Sequence, residues 1–224
     1  MTADYAVLDL FCGLGGFSQA FEDSDRWQVT TVDIEARFEP DICADVFDLR
    51  PSDFGQVFDV VLASPPCTSF SKANHINTSP NHFKNGIPQT KQASNHVGLA
   101  YHTVGLIRGI GPSYWFLENP TSHLREFLGR PTGTVTYCQY GKNYQKRTDL
   151  WGTHPPITYR ACSAGSSCHD PSRLDSDNSK RPMPNDPAER AKVPEDLSAA
   201  IRDACEAGLN GEVPEQTTLE GINA

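Results

Sequence analysis

Several things are scarce or missing in this chain. No stretch approaches the roughly 20 consecutive apolar residues that a membrane-spanning helix needs, and residues Met1 to Leu10 have neither a basic start nor a cleavable apolar segment. The expectation is a soluble, cytoplasmic protein with no membrane partner. Seven cysteines in such a chain argue against a disulfide framework. Internal repeats are absent. Positive charge is in deficit, with 19 Lys and Arg against 28 Asp and Glu. A net charge of -9 speaks against a non-specific nucleic-acid binder, because cations supply phosphate affinity. At 224 residues the chain can hold one sizeable core with short appendages, which excludes a large multidomain machine.

The charge deficit is uneven. From Val60 to Leu117, 58 consecutive residues contain no Asp or Glu, yet they hold Lys72, Lys84, Lys91, Arg108 and four of the seven histidines. Residues 60–148 carry nine bases against two acids, a net +7, which leaves -16 for the flanks. An acidic exterior keeps the chain soluble while the basic middle offers a patch for a polyanion.

Apolar runs place the strands. Ala6–Phe11 is a short run ending in the turn Cys12-Gly13-Leu14-Gly15-Gly16, followed by a helical stretch over Phe17–Phe21. Gln28–Ile34 is β-branched and closed by an acid, and a short strand or turn follows near Ile42–Val46. Phe58–Ala63 is a continuous run of the buried parallel kind, stopped by Pro65-Pro66. Residues 68–96 are polar and read as a long functional loop, and Val97–Ile110 has helical spacing. Tyr114–Glu118 is another buried strand, and Thr134–Tyr140 and Asp149–Gly152 frame a hairpin or adjacent strands. Past Pro155 only Pro194–Gly208 reads as a helix. The alternation predicts an α/β fold with a mostly parallel sheet and a small irregular C-terminal region.

Three constellations can carry chemistry. The glycine turn after an acid-bearing strand lets a cofactor approach the backbone at the sheet's C-terminal edge, and Asp33 at the end of the next strand can bond ribose hydroxyls. Its G-x-G-G spacing lacks the full dinucleotide fingerprint, so a purely structural turn fits it too. Cys67 follows a rigid Pro pair at the end of a central strand, where a thiolate can attack an electrophilic carbon; a buried thiol acting as a small hydrophobe is the alternative. Glu118-Asn119-Pro120 also ends a strand. It offers proton transfer or hydrogen bonding to a ring nitrogen, or simply a turn.

Taken in order, Asp9-Leu10-Phe11-Cys12-Gly13-Leu14-Gly15-Gly16-Phe17-Ser18, Val32-Asp33-Ile34-Glu35, Pro65-Pro66-Cys67, Glu118-Asn119-Pro120 and Gln145-Lys146-Arg147 resemble the DNA cytosine-5 methyltransferase family over residues 6–152. The resemblance implies a Rossmann-like domain that uses S-adenosyl-L-methionine and acts on a cytosine flipped out of double-stranded DNA. It implies Cys67 as nucleophile at C6, Glu118 on N3 and the exocyclic amine, and Asn119 in support of that site. By the same resemblance Arg147 binds O2 of the base or positions the thiol, and Gln145 is the glutamine of the arginine motif. For the cofactor it implies Phe11 and Ile34 against adenine, Gly13, Leu14, Gly15 and Gly16 along the methionine part, and Asp33 on the ribose. Asp45, followed by Val46, would meet the adenine amine, and Pro65 belongs to the same pocket. The basic loop residues Lys72, Lys84 and Lys91 then read as phosphate contacts. An RNA cytosine-5 methyltransferase, transfer of a different group to C5, or an inactive DNA-binding subunit are the competing readings.

The pattern departs from the family in three places. Asp149 stands where the motif has its second arginine, Thr68 follows the nucleophile, and only residues 153–189 separate the last strand from Arg190-Ala191-Lys192-Val193-Pro194. The chain therefore divides into a catalytic part (1–152), a reduced recognition or zinc-binding insert (153–192), a C-terminal helix (193–210) and a tail (211–224). Such compactness suits a phage-like enzyme. In the insert, Cys162, Cys168 and His169, with Cys138 upstream, have ligand types suited to a structural zinc or remain ordinary thiols.

Overall fold

The computed structural model describes residues 3–70, 82–163, 166–168 and 184–212. Its strands fall where apolar residues run together. They are β1 (Tyr5–Leu10), β2 (Trp27–Asp33), β3 (Ile42–Cys43), β4 (Val60–Ala63), β5 (Phe83–Lys84), β6 (Ile87–Pro88), β7 (Tyr114–Pro120), β8 (Gly133–Thr136) and β9 (Arg147–Thr153). Seven of them form one sheet in the order β3-β2-β1-β4-β7-β9-β8, and β5 and β6 pair as a separate hairpin. The sheet is parallel from β3 to β7 and antiparallel at β9 and β8. The result is a Rossmann-like α/β fold with a mostly parallel sheet.

Both faces of the central strands are buried, so these strands read as unbroken apolar runs instead of alternating ones. Alternate side chains feed two cores. Leu8, Leu10, Val61, Ala63 and Leu117 face helix α2 (Lys91–Ile110), while Val7, Val60, Leu62 and Phe116 face helix α5 (Glu195–Leu209) and the short helix α1 (Gln19–Glu22).

Helix α2 begins well before the expected Val97, inside what reads as loop. Thr90 caps it, its Oγ1 accepting from the Ala93 amide at 3.1 Å. Lys91, Gln92, Ser94 and Asn95 in its first turns are exposed, and only Ala93 is buried there, so the apolar period is silent until Leu99. The expected strand through Tyr140 stops at Thr136 and becomes a 3₁₀ turn over Tyr137–Tyr140, closed by Gly141 at φ 84°. Helix α5 lies one residue from its expected position. Ser198 Oγ donates to the Phe17 carbonyl at 2.7 Å and accepts from the Ala20 amide at 3.1 Å, and Arg202 reaches the Ala20 carbonyl at 2.9 Å. This docking carries the preceding residues, among them helix α4 (Pro187–Ala191), to the C-terminal edge of the sheet.

Candidate active site

The sheet order reverses direction between β1 and β4, which is where an open α/β sheet leaves a crevice at the carboxyl ends of its strands. A cavity of about 290 Å³ occupies it. The turn after β1 is held in a left-handed course by Phe11 (φ 63°), Gly13 (φ 51°) and Gly15 (φ 69°). Asp33 straps that turn to β2: its Oδ2 accepts from the Gly13 amide and its Oδ1 from the Glu35 amide, each at 2.9 Å. A side chain on Gly13 would meet nothing within 4 Å, so its backbone lies open to the cavity. Gly16 has a different reason to be glycine. A Cβ there would lie 2.5 Å from Lys192 Cγ and 2.7 Å from the Val193 carbonyl, so the C-terminal segment closes directly over the turn.

Of the expected cofactor residues, Phe11, Gly13, Leu14, Gly16, Asp33, Ile34 and Pro65 line the cavity. Gly15, Asp45 and Val46 are not on its wall. Asp45 instead caps a 3₁₀ turn, its Oδ1 accepting from the Phe47 amide at 3.0 Å, and Val46 packs in the core. Ile34 remains 63% exposed at the rim. Glu35, Arg37 and Phe38 join the wall without having been singled out by sequence, as do residues of the Pro187–Val193 segment.

Cys67 and Glu118 meet at the other end of the same cavity. The turn carrying Cys67 is pinned from two sides: Ser64 donates its amide to the Leu10 carbonyl at 3.1 Å, and Asn119 Nδ2 donates to the Pro65 carbonyl at 2.9 Å. Ser122 Oγ also donates to the Phe70 carbonyl just beyond. Asn119 is fully buried and thus holds the Cys67 turn in place instead of lining the cavity. Burial pushes the Cys67 thiol above its ordinary value. Lys146 opposes that shift, Glu118 adds to it, and Arg190 opposes it more weakly.

Glu118 is 3% exposed and is held by two groups, Tyr137 OH donating to Oε1 at 2.9 Å and Lys146 Nζ at 3.4 Å. Lys146 also donates to the Tyr137 hydroxyl at 3.2 Å. A buried carboxylate is costly without such hydrogen-bond partners. Burial and the Glu118 charge push the Tyr137 phenol well up, so it remains a donor. Lys146 and Tyr137 are the two groups that sequence reasoning missed here. Arg147, expected at this place, is exposed and off the cavity wall. Gln145 is also off the wall, and its Nε2 donates to Cys162 Sγ at 3.3 Å. The only available signal for Lys146 was alternation: residues 145 and 147 share one side of an extended segment and residue 146 takes the other. Asp149, in the second arginine's position, is buried and draws in Arg125, whose Nη2 and Nε lie 2.5 and 2.6 Å from its oxygens.

Behind this wall the Cys138, Cys162 and Cys168 sulfurs all lie within 4.8 Å of one another. His169 falls outside the described residues. Burial pushes the Cys138 thiol up to about 12; Cys162, raised by burial, is brought below its ordinary value by hydrogen bonds from Cys138, Gln145, Thr136 and Cys168.

The model of the C-5 cytosine-specific DNA methylase family matches residues 5–126, the stretch that holds the glycine turn, Asp33, Cys67 and Glu118. The chain belongs to the C-5 cytosine-specific DNA methylase family. A protein of Frog virus 3 (isolate Goorha) named Probable DNA (cytosine-5)-methyltransferase is 30% identical over 171 residues, covering 72% of this chain and 77% of the viral protein. A solved structure from E. coli, of a prophage-encoded protein described as a DNA modification methyltransferase, is 18% identical with a TM-score of 0.45, and the match covers 66% of this chain and 46% of the other. Membership implies S-adenosylmethionine as methyl donor and DNA as substrate. Among the described residues no helix is long and apolar enough to cross a membrane.

Proposed function

We propose that this methylase transfers a methyl group from S-adenosylmethionine to C5 of a cytosine flipped out of double-stranded DNA, through a covalent bond between Cys67 Sγ and C6. The observation that carries the proposal is the continuity of one cavity from the open glycine backbone and Asp33 to Cys67, Glu118 and Lys146. S-Adenosylmethionine bound at the glycine end supplies an electrophilic methyl. Its fit rests on the bare Gly13 backbone, on the Asp33 carboxylate and on the apolar rim formed by Phe11, Ile34 and Phe38.

Cytosine C5 is a weak nucleophile while the ring is aromatic. Addition of the Cys67 thiolate at C6 breaks the aromaticity and makes C5 enamine-like, which divides one hard step into two easier ones. C5 then takes the methyl as the donor leaves as its neutral thioether, the C5 proton passes to water, and the Sγ–C6 bond breaks to restore the ring and the thiolate. Glu118 is fixed through Oε1, so Oε2 is the oxygen for the N3 and amine edge of the base. Lys146 places a positive charge beside both Cys67 and Glu118, where it favours the thiolate and offsets charge developing on the ring. Asn119 is a positioning residue that acts through the Pro65 carbonyl. Lys84 and Lys91, both exposed, serve as phosphate contacts; Lys72 lies outside the described residues. The proposal includes the domain division expected from sequence, with Pro187, Ala188, Ala191, Lys192 and Val193 lining the cavity.

A duplex in which 5-fluorocytosine replaces the target cytosine tests the proposal, because fluorine at C5 cannot leave as a proton does and traps the adduct. Duplex and S-adenosylmethionine should give a denaturation-resistant complex with the native chain and none with Cys67→Ser. No adduct on any duplex, or adduct only on RNA, overturns it.

A further inference from the structure

Three thiols converge where the reaction has no use for them. Cys138 and Cys162 are buried with their sulfurs 3.2 Å apart, and Cys168 approaches Cys138 at 3.5 Å. They come from separate places in the chain: Cys138 from the 3₁₀ turn after β8, the other two from the short segment past Pro155. In tetrahedral coordination with zinc–sulfur bonds of about 2.3 Å, the sulfurs stand about 3.8 Å apart, so these three need only sub-ångström shifts to hold one ion. Thiols are weak hydrogen-bond partners for each other, and packing alone gives little reason to gather three.

We propose that Cys138, Cys162 and Cys168 bind a structural zinc ion that fastens the chain around Cys162 and Cys168 to the 3₁₀ turn carrying Cys138. The three thiols enter as thiolates, their protons released to solvent, and a nitrogen or oxygen ligand from outside the three completes the tetrahedron. Among the described residues the group has three members. Soft thiolate donors select zinc over magnesium or calcium. Gln145 Nε2 already donates to Cys162 Sγ at 3.3 Å, and Thr136 Oγ1 accepts from the Cys162 amide at 3.2 Å, an outer shell that orients the ligand. The same segment is laced to β8 by the Thr136 amide donating to the Arg160 carbonyl at 3.0 Å. Such a segment is too short to bury a core of its own, and a metal supplies what packing does not.

The placement has a consequence for the cavity. Cys138 follows Tyr137, and Gln145, which donates to Cys162 Sγ, precedes Lys146, so of the two side chains holding Glu118 one neighbours a cluster sulfur and the other neighbours a hydrogen-bond donor to the cluster. The metal would set the position of both. Its binding is separate from the reaction at Cys67, so Cys67→Ser should hold zinc as the native chain does even if the proposed chemistry fails.

The test is elemental analysis of the full chain purified under reducing conditions without chelator, with zinc X-ray absorption on the same sample. One zinc per chain is expected, with three sulfurs at about 2.3 Å and one lighter ligand. In competition with a chromophoric chelator, Gln145→Ala should hold zinc about 10- to 100-fold more weakly, Cys162→Ser more weakly still, and Cys43→Ser, at an exposed site outside the cluster, as the native chain does. Absence of zinc from the reduced native chain after equilibration with equimolar zinc overturns the proposal. So does a Cys138–Cys162 disulfide persisting under reduction, or full zinc retention when all three cysteines are replaced by serine. The native-chain measurements decide the matter even if a variant fails to fold.

Discussion

Lys146 and Arg147 are neighbours in one motif and face different surroundings. Lys146 is 8% exposed against Glu118 and Tyr137, whereas Arg147 is exposed at the start of β9. The proposed mechanism gives them different weights. Lys146→Met keeps most of the stem and removes the charge, and it should lower kcat about 10²- to 10³-fold, the cost of losing one preorganised charge partner. It should also move the rising limb of the pH–rate profile to higher pH, because burial already raises the Cys67 thiol and Lys146 is the group that most opposes that rise. Arg147→Met should leave kcat within a few-fold and act on the KM for DNA. Steady-state kinetics across pH on the two variants checks both. Asp9 offers a second test at this scale. Burial raises its carboxyl to about 7 despite a 2.7 Å hydrogen bond from Ser18, and its Oδ1 has no partner among the described residues. The folded state therefore holds a proton that the unfolded chain releases above about pH 4. Its contribution to stability falls as pH rises from about 4 to about 7, by up to about 1.4 kcal/mol per unit, and is flat above. Denaturation curves should show that slope in the native chain and not in Asp9→Asn.

At the scale of elements, the C-terminal helix decides whether the cofactor end of the cavity is closed. Helix α5 is tied to α1 through Ser198, and the chain leading into it supplies Lys192 and Val193 to the wall above Gly16. Ser198→Ala leaves the buried Ala20 amide and Phe17 carbonyl without that partner, a cost of about 1 to 3 kcal/mol. Calorimetry should find both a lower unfolding temperature and weaker binding of S-adenosylhomocysteine; a variant that loses stability yet binds normally would uncouple the helix from the cavity. The elements legible in the sequence are those whose burial is two-sided. β1, β4 and β7 read as apolar runs because helices cover both faces, and each run ends at a chemical motif because the crevice lies at the strand ends. The first turns of α2 were illegible since Lys91 to Asn95 face solvent on all sides but one. Lys146 was hidden by a motif match that favours its neighbour, and its facing is set by pairing with strands far away in sequence. The Asp149–Arg125 pair was equally hidden, because only the antiparallel edge of the sheet brings residues 24 positions apart into contact. The glycine turn, Asp33, Cys67 and Glu118 were legible because their spacing is local to strand ends.

For the whole molecule, charge and size pull in one direction. The excess of bases over residues 60–148 falls on the segments that carry Cys67, Glu118 and Lys146, while the acidic flanks set the net -9. Under the proposed function this basic stretch would favour DNA phosphates. Only residues 154–186 lie between β9 and helix α4, and the proposed zinc would fasten part of that short stretch. Tyr137 and Lys146 hold Glu118 on β7, and the sulfur cluster is linked to the same stretch of chain through Gln145. The role of Cys67 in opening cytosine to methylation at C5 is tested by nucleoside mass spectrometry of duplex DNA incubated with the purified chain and methyl-labelled S-adenosylmethionine. Labelled 5-methyl-2′-deoxycytidine is expected with the native chain and none with Cys67→Ser; label on an exocyclic amine, or undiminished label at C5 with Cys67→Ser, would overturn that role.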